Sequence, residues 1–187
     1  MTHSEEKVEV VKNFQVKNLV VGRGHDGGGL IADVYFKRKK VATFHDDGWG
    51  GEPEVRFFSD ELENSSKEFL KENNYALLMF NDGWDFMKCP TKIDAQTQFN
   101  DVVETLASLK ENEKAEKKMK RACKKHIVVG DSHNYTTYGW KGIKSLEELA
   151  AIKGGLGALQ TAYWKAKKTG LTIQNDLKRL QKLGIEV

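Results

Sequence analysis

The sequence predicts an α+β protein: an N-terminal antiparallel sheet, a long central helix or helical hairpin, a short second β element, and C-terminal helices. Three observations carry this prediction. The first third is a series of short β-branched and aromatic runs separated by glycine clusters. The middle holds an apolar stripe at helical spacing, and the last third places capping residues ahead of amphipathic segments. The change of character near residue 92 suggests a β-rich part with one helix over 1–92. A part over 93–187 would hold the long helix, a β-hairpin and the C-terminal helices, unless the whole is one continuous domain.

Taken in order, "FQVKNLVV", "LIADVYF", "KVATFHD" and "EVRFF" read as strands, with "KRKK" as a short polar connection and glycines at 22–29 and 48–51 as turns. "SDELENSSKEFLKENN" reads as a helix capped by Ser59, with Leu62, Phe69 and Leu70 available to a core. "YALLMF" is a short apolar run that suits a buried strand. After Pro90, Asp94 can cap a helix on which Phe99, Val102, Val103, Leu106 and Leu109 recur at helical spacing. Beyond Leu109 the stripe thins to Met119, Ala122 and Cys123. One helix over 94–125 would span roughly 48 Å at 1.5 Å per residue; a hairpin turning near Asn112 is the alternative. "HIVVGD" and "YTTYGW" suggest a further hairpin. Ser145 and Glu148 form a capping-box pattern, and glycines at 154–155, 170 and 184 stop the segments that follow.

At 187 residues, 39% hydrophobic and 30% charged, the chain can bury a core without disulfide staples. Cys89 and Cys123 are too few for a disulfide framework and suggest a reducing compartment. "MTHSEEKVEV" lacks the apolar region of a signal peptide, and no apolar run approaches the roughly 18 residues of a membrane span. A cytoplasmic protein with no membrane partner is expected.

The net charge is only +3, but it is unevenly placed. Lys110–His126 holds eight Lys/Arg against three Glu, and Lys165–Lys182 holds six against one Asp. Asp60–Leu109 holds ten acids against four Lys. Such asymmetry steers a charged partner toward one region.

Motifs of catalysis are weak. "GRGHDG" at 22–27 matches GxGxxG, yet "LIADVYF" alternates like a strand where a dinucleotide fold needs a helix, so a flexible hairpin connection is the better reading, with its backbone amides and Arg23 as a candidate anion site. "HDGG", "FHDDGWGG" and "FNDGWDF" repeat the Asp-Gly chemistry of tight turns. Their side chains His25, Asp26, His45, Asp46 and Asp47 form a candidate divalent-metal set, although adjacent strand residues point to opposite faces. Ser132 and His133 are chain neighbours that diverge, and Cys123 with His126 sits at a helix end. "AKKTGLTIQNDLKRLQKLGIEV" partly matches a helix-turn-helix, but Asp176 falls where an aliphatic residue should pack; a cap packing Leu177, Leu180 and Leu183 inward fits better. Trp49, Trp84 and Trp140 are candidate anchors for a protein partner.

The run "GRGHDGGGLIADVYFKRKKVATFHDDGWGG", with the later "KKMKRACKKH", resembles small uncharacterised accessory proteins of phages and mobile elements, over about a quarter of the chain. The resemblance implies no fold and no catalytic residue. It implies a protein that acts by binding host or invader machinery, such as a phage-type inhibitor of host defence.

The expected function is a non-enzymatic binding protein without a cofactor or catalytic residue. Its basic surface, Lys117, Lys118, Lys120, Arg121, Lys124 and Lys125 with Lys178, Arg179 and Lys182, would dock on nucleic acid or a nucleic-acid-handling complex. The alternatives are a metal-dependent hydrolase using the His/Asp turns, and an interaction module or homo-oligomer built on the long helix.

Overall fold

Alternation of apolar and polar residues sets the first sheet. The structure, a computed structural model, describes residues 3–22, 28–79 and 93–187. The chain forms two compact units, Met1–Leu109 and Lys110–Val187. The boundary read from the sequence at 92/93 adjoins residues outside the described set, as do Trp84, Cys89 and the stretch "FNDGWDF".

In the first unit, β1 (Phe14–Val21), β2 (Leu30–Phe36), β3 (Lys39–Asp46) and β4 (Glu54–Phe57) form an antiparallel sheet in chain order. Leu30, Ala32, Val34 and Phe36 of β2 are buried at alternate positions. In β3 both Val41 and Ala42 are buried, because the register with β2 shifts between Val34 and Tyr35. In β1 a second shift falls between Lys17 and Val20, and beyond it Val20 and Val21 are exposed. Helix α1 (His3–Val11) precedes the sheet and was not read from the sequence. Helix α2 (Asp60–Glu72) starts where expected, with Ser59 Oγ accepting from the Leu62 amide at 3.3 Å.

"YALLMF" is not a strand. It forms the short helix α3 (Tyr75–Leu78), entered through Asn74 in the left-handed region at φ 51°. Tyr75 and Leu78 are buried while Leu77 is half exposed, a spacing of three that a strand cannot produce. A short apolar run does not distinguish these two periods. The Tyr75 hydroxyl donates to Asp101 Oδ2 at 2.8 Å, and Lys7 pairs with the same carboxylate at 2.8 Å.

Helix α4 (Ala95–Cys123) is one uninterrupted 29-residue helix, so the hairpin alternative at Asn112 is not adopted. Asp94 Oδ1 caps it by accepting from the Gln96 and Thr97 amides at 2.8 and 2.9 Å. Its first half buries Phe99, Val102, Val103 and Ala107 in the core with Phe14, Phe36 and Phe44. The Phe14–Phe36 and Phe57–Phe99 rings lie 4.7 and 4.9 Å apart between centroids.

In the second unit, β5 (Ile127–Gly130) and β6 (Tyr135–Tyr138) pair antiparallel. Around them lie α5 (Leu146–Ala151), α6 (Gly155–Lys167) and α7 (Leu177–Lys182). Ile127, Val129, Leu146, Leu159, Tyr163 and Leu180 are buried together. The segment between α6 and α7 runs extended beside β5: the Gly130 amide donates to Thr172 O at 3.0 Å and the Gln174 amide to Val128 O at 2.9 Å. This is a sheet edge, not the turn of a helix-turn-helix, and Asp176 caps α7 by accepting from the Lys178 amide. Of the three leucines expected inward on α7, Leu180 is buried, Leu183 partly so, and Leu177 is exposed. Among the described residues no helix is long and apolar enough to cross a membrane.

The two-residue connection between β2 and β3 holds Lys37 and Arg38 at φ 45° and 70°. That matches the sheet's twist, but usually with Asn-Gly. Lys37 is retained over the Phe36 and Phe69 rings, at 5.0 and 5.2 Å. Arg38 is exposed at the tip. Arg38→Gly should therefore stabilise the protein by about 1 kcal/mol, read as a higher urea midpoint at unchanged slope.

Candidate nucleic-acid interface

Charge divides with the two units. Lys110–Val187 contains seventeen Lys/Arg and eight Asp/Glu, a formal +9, whereas Met1–Leu109 contains thirteen and nineteen, a formal −6. The second half of α4 supplies much of the positive charge. Asn112, Ala115, Met119 and Cys123 recur at spacings of three and four and form its packed side. Met119 is buried, and Asn112 Oδ1 lies 2.7 Å from His133 Nε2 in the β5–β6 turn. Lys114, Lys118 and Arg121 share the opposite side, and Lys124 and Lys125 continue past the last turn.

The structure sorts the expected cations by their partners. Lys117 pairs with Glu113, and Lys120 with Glu116 at 3.0 Å, both at the i,i+4 spacing that favours Glu before Lys. Lys118, Arg121, Lys124 and Lys125 are exposed and have no ion pair among the described residues. Lys178 and Lys182 are likewise exposed on α7 and have no ion pair among the described residues.

Arg179 is engaged internally. Its Nε and Nη2 donate to the two Glu147 oxygens at 2.8 Å each, and its guanidinium also reaches the Cys123 and Lys124 carbonyls at 3.3 and 3.4 Å. The hydrogen bonds from Arg179 hold the Glu147 carboxyl down at about 2. Beside it, the buried Asn175 accepts from the Val128 amide at 2.7 Å and donates to the Cys123 and His126 carbonyls at 3.0 and 2.8 Å. These two side chains close the end of α4 and fix where Arg121–Lys125 stand.

The remaining candidates behave structurally. Burial pushes the Cys123 thiol up, the wrong direction for a nucleophile at neutral pH. Burial, with the Lys125 charge behind it, lowers the His126 pKa. His133 is turned to Asn112, and Asp131 closes its turn by accepting from the His133 and Asn134 amides. In the first unit, Asp46 Oδ1 accepts from the Gly48 amide at 2.8 Å and Asp47 Oδ1 from the Trp49 amide at 2.9 Å, which is turn chemistry. His45, Asp46 and Asp47 border one hollow with Gly29 and Ile31, and each of the first two also borders a second: His45 beside Thr43 and Arg56, Asp46 beside Gly28 and Glu104. Arg23, His25 and Asp26 lie outside the described residues. Among the described residues no three His, Cys, Asp or Glu are placed to hold a metal.

Reading the sequence missed one feature of the second unit: a groove of about 390 Å³ lined by Tyr138, Gly139, Trp140, Gly157, Thr161 and Lys165, among others. The i,i+4,i+8 spacing of Gly157, Thr161 and Lys165 was the available signal. No protein-family model matches the chain, and no curated protein or solved structure does either.

The Glu147–Arg179 fork makes a pH prediction. Because the folded carboxyl titrates at about 2 against an ordinary 4.5, its contribution to stability is complete above about pH 4.5 and is lost as the pH falls toward 2. Urea unfolding followed across that window should show stability falling with pH. Glu147→Gln should be destabilised at pH 7 and flatter over the same window; an identical pH profile would refute the linkage.

Proposed function

We propose that the 110–187 unit binds nucleic acid through its phosphate backbone, without catalysis. The observation that supports this best is the cluster of Lys118, Arg121, Lys124 and Lys125, exposed, without ion pairs among the described residues, and held at a helix end closed by Asn175 and Arg179. Cations placed in advance lose little freedom on meeting phosphates. Lys117, Lys120, Lys178 and Lys182 extend the surface, while Arg179 serves to hold it together. The cations carry no geometry for base edges, so the contact is independent of sequence. A nucleic-acid-handling complex would be met through its nucleic acid, and the resemblance to phage accessory proteins suggests an inhibitor of host defence as the setting.

Binding of labelled DNA followed by anisotropy over a salt series tests this. Wild type should bind at low salt and lose affinity with a steep log–log slope, about 0.9 per duplex phosphate neutralised. Lys118→Glu with Arg121→Glu should abolish binding while the protein still unfolds cooperatively, with a loss of no more than about 1 kcal/mol from the helix end. Lys118→Ala should make the slope shallower by about one. No binding at low salt, or binding indifferent to the double reversal, would overturn the proposal.

A further inference from the structure

From the groove beside β6 we infer that the unit takes single-stranded nucleic acid, with one unpaired base stacked on Trp140 and a neighbouring phosphate at Lys165; this rests on the nucleic-acid reading above. Trp140 is half-buried, so the groove offers a partly exposed indole on a fixed support. Such aromatic surfaces accept any base, because every base has a flat π face. Across from it α6 presents Gly157, where a Cβ would meet nothing within 4 Å. The helix thus leaves open the space a planar ring would fill. Lys165, two turns further along α6, has no ion pair among the described residues, and no acidic residue lines the groove.

A Cβ on Gly139, in the groove wall, would stand 1.7 Å from His126 Nδ1, so the imidazole lies directly against that backbone. His126 follows Lys124 and Lys125 in the chain. The groove wall at Gly139 thus abuts the segment that carries Lys124 and Lys125, and in the proposed complex the strand's phosphates lie on that segment with an unpaired base at the indole. A duplex keeps its bases paired and would use the phosphate contacts alone. An aromatic side chain of a protein could enter the same space, but the cationic surroundings favour a polyanion.

The test compares three labelled probes: an oligothymidylate of about 15 nucleotides, an abasic oligomer of equal length, and a duplex. Wild type should bind the oligothymidylate about tenfold more tightly than the abasic oligomer. Gly157→Leu, whose side chain enters open space, should weaken oligothymidylate binding about tenfold and leave the abasic and duplex affinities unchanged. Trp140→Phe should retain most of the preference for bases. Equal affinity for the oligothymidylate and the abasic oligomer would overturn the inference, as would indifference of oligothymidylate binding to Gly157→Leu; phosphate binding would still stand. Absence of binding to all three probes at low salt would overturn the nucleic-acid reading, and this inference with it.

Discussion

The side chain of Asn175 is the point on which the second unit turns. A long helix ends at Cys123 with carbonyls that have no partner within the helix, and β5 begins four residues later with its amides facing inward. Asn175 answers both needs with one planar group: its oxygen takes the Val128 amide, and its nitrogen serves the carbonyls of Cys123 and His126. An aspartate would set a carboxylate against two carbonyls, and a leucine would take their Asn175 partner from the Val128 amide and the His126 carbonyl, each at a cost of about 1–3 kcal/mol, and leave the Cys123 carbonyl to Arg179 alone. The extended stretch 172–174 exists to deliver this residue, through its own bonds to Gly130 and Val128. Arg179 adds a second donor at the Cys123 carbonyl and at that of Lys124, which the Leu146 amide already serves, and is itself held by Glu147.

Everything proposed for the surface follows from that closure. The four cations without an ion pair among the described residues lie on the last turns of α4 and just beyond, where a free helix would fray. The negative end of the helix dipole favours positive charge there, so Arg121, Lys124 and Lys125 also suit the fold. Basicity and helix termination are thus met by the same residues. The first half of α4 obeys a different constraint, because Phe99, Val102, Val103 and Ala107 belong to the aromatic core of the other unit. The division at Leu109 is where the apolar stripe fades and the charges begin.

Where the fold depends on local chemistry, it was legible. Alternation located all four strands of the first sheet, and Ser59, Asp94 and Ser145 marked helix starts. Ser145 accepts from the Glu148 amide, although Glu148 reaches back to the Lys144 amide and not to its own cap residue. "YALLMF" misled because six apolar residues fit either period until Asn74 and Asp101 are known to be its neighbours. The interface was legible only as a count of charges. Its organisation depends on pairs far apart in sequence: Asn175 with Val128, Arg179 with Glu147, Asn112 with His133. No periodicity announces such pairs. The groove escaped for the same reason, since Trp140 and Gly157 line one hollow only when the segment after β6 is brought beside α6.

The ion pairs along α4 bear on how such a surface would work. Lys117–Glu113 and Lys120–Glu116 are more than half exposed, and pairs of that kind are worth a few tenths of a kcal/mol at most. A phosphate can therefore take either lysine at little expense to the fold, leaving its glutamate in water. Arg179 differs, because its guanidinium holds a carboxylate in a two-point fork and touches two backbone carbonyls besides, so drawing it toward a phosphate would break all of these contacts at once. The glutamates would also limit the affinity of such a surface. They stand beside the cationic stripe and would repel a phosphate that strays from it, favouring the line through Lys118 and Arg121 to Lys125. If the proposed binding holds, a surface with the same lysines and no glutamates would bind more tightly but without a defined track, so the loss in affinity that the glutamates cause would be offset by a gain in placement.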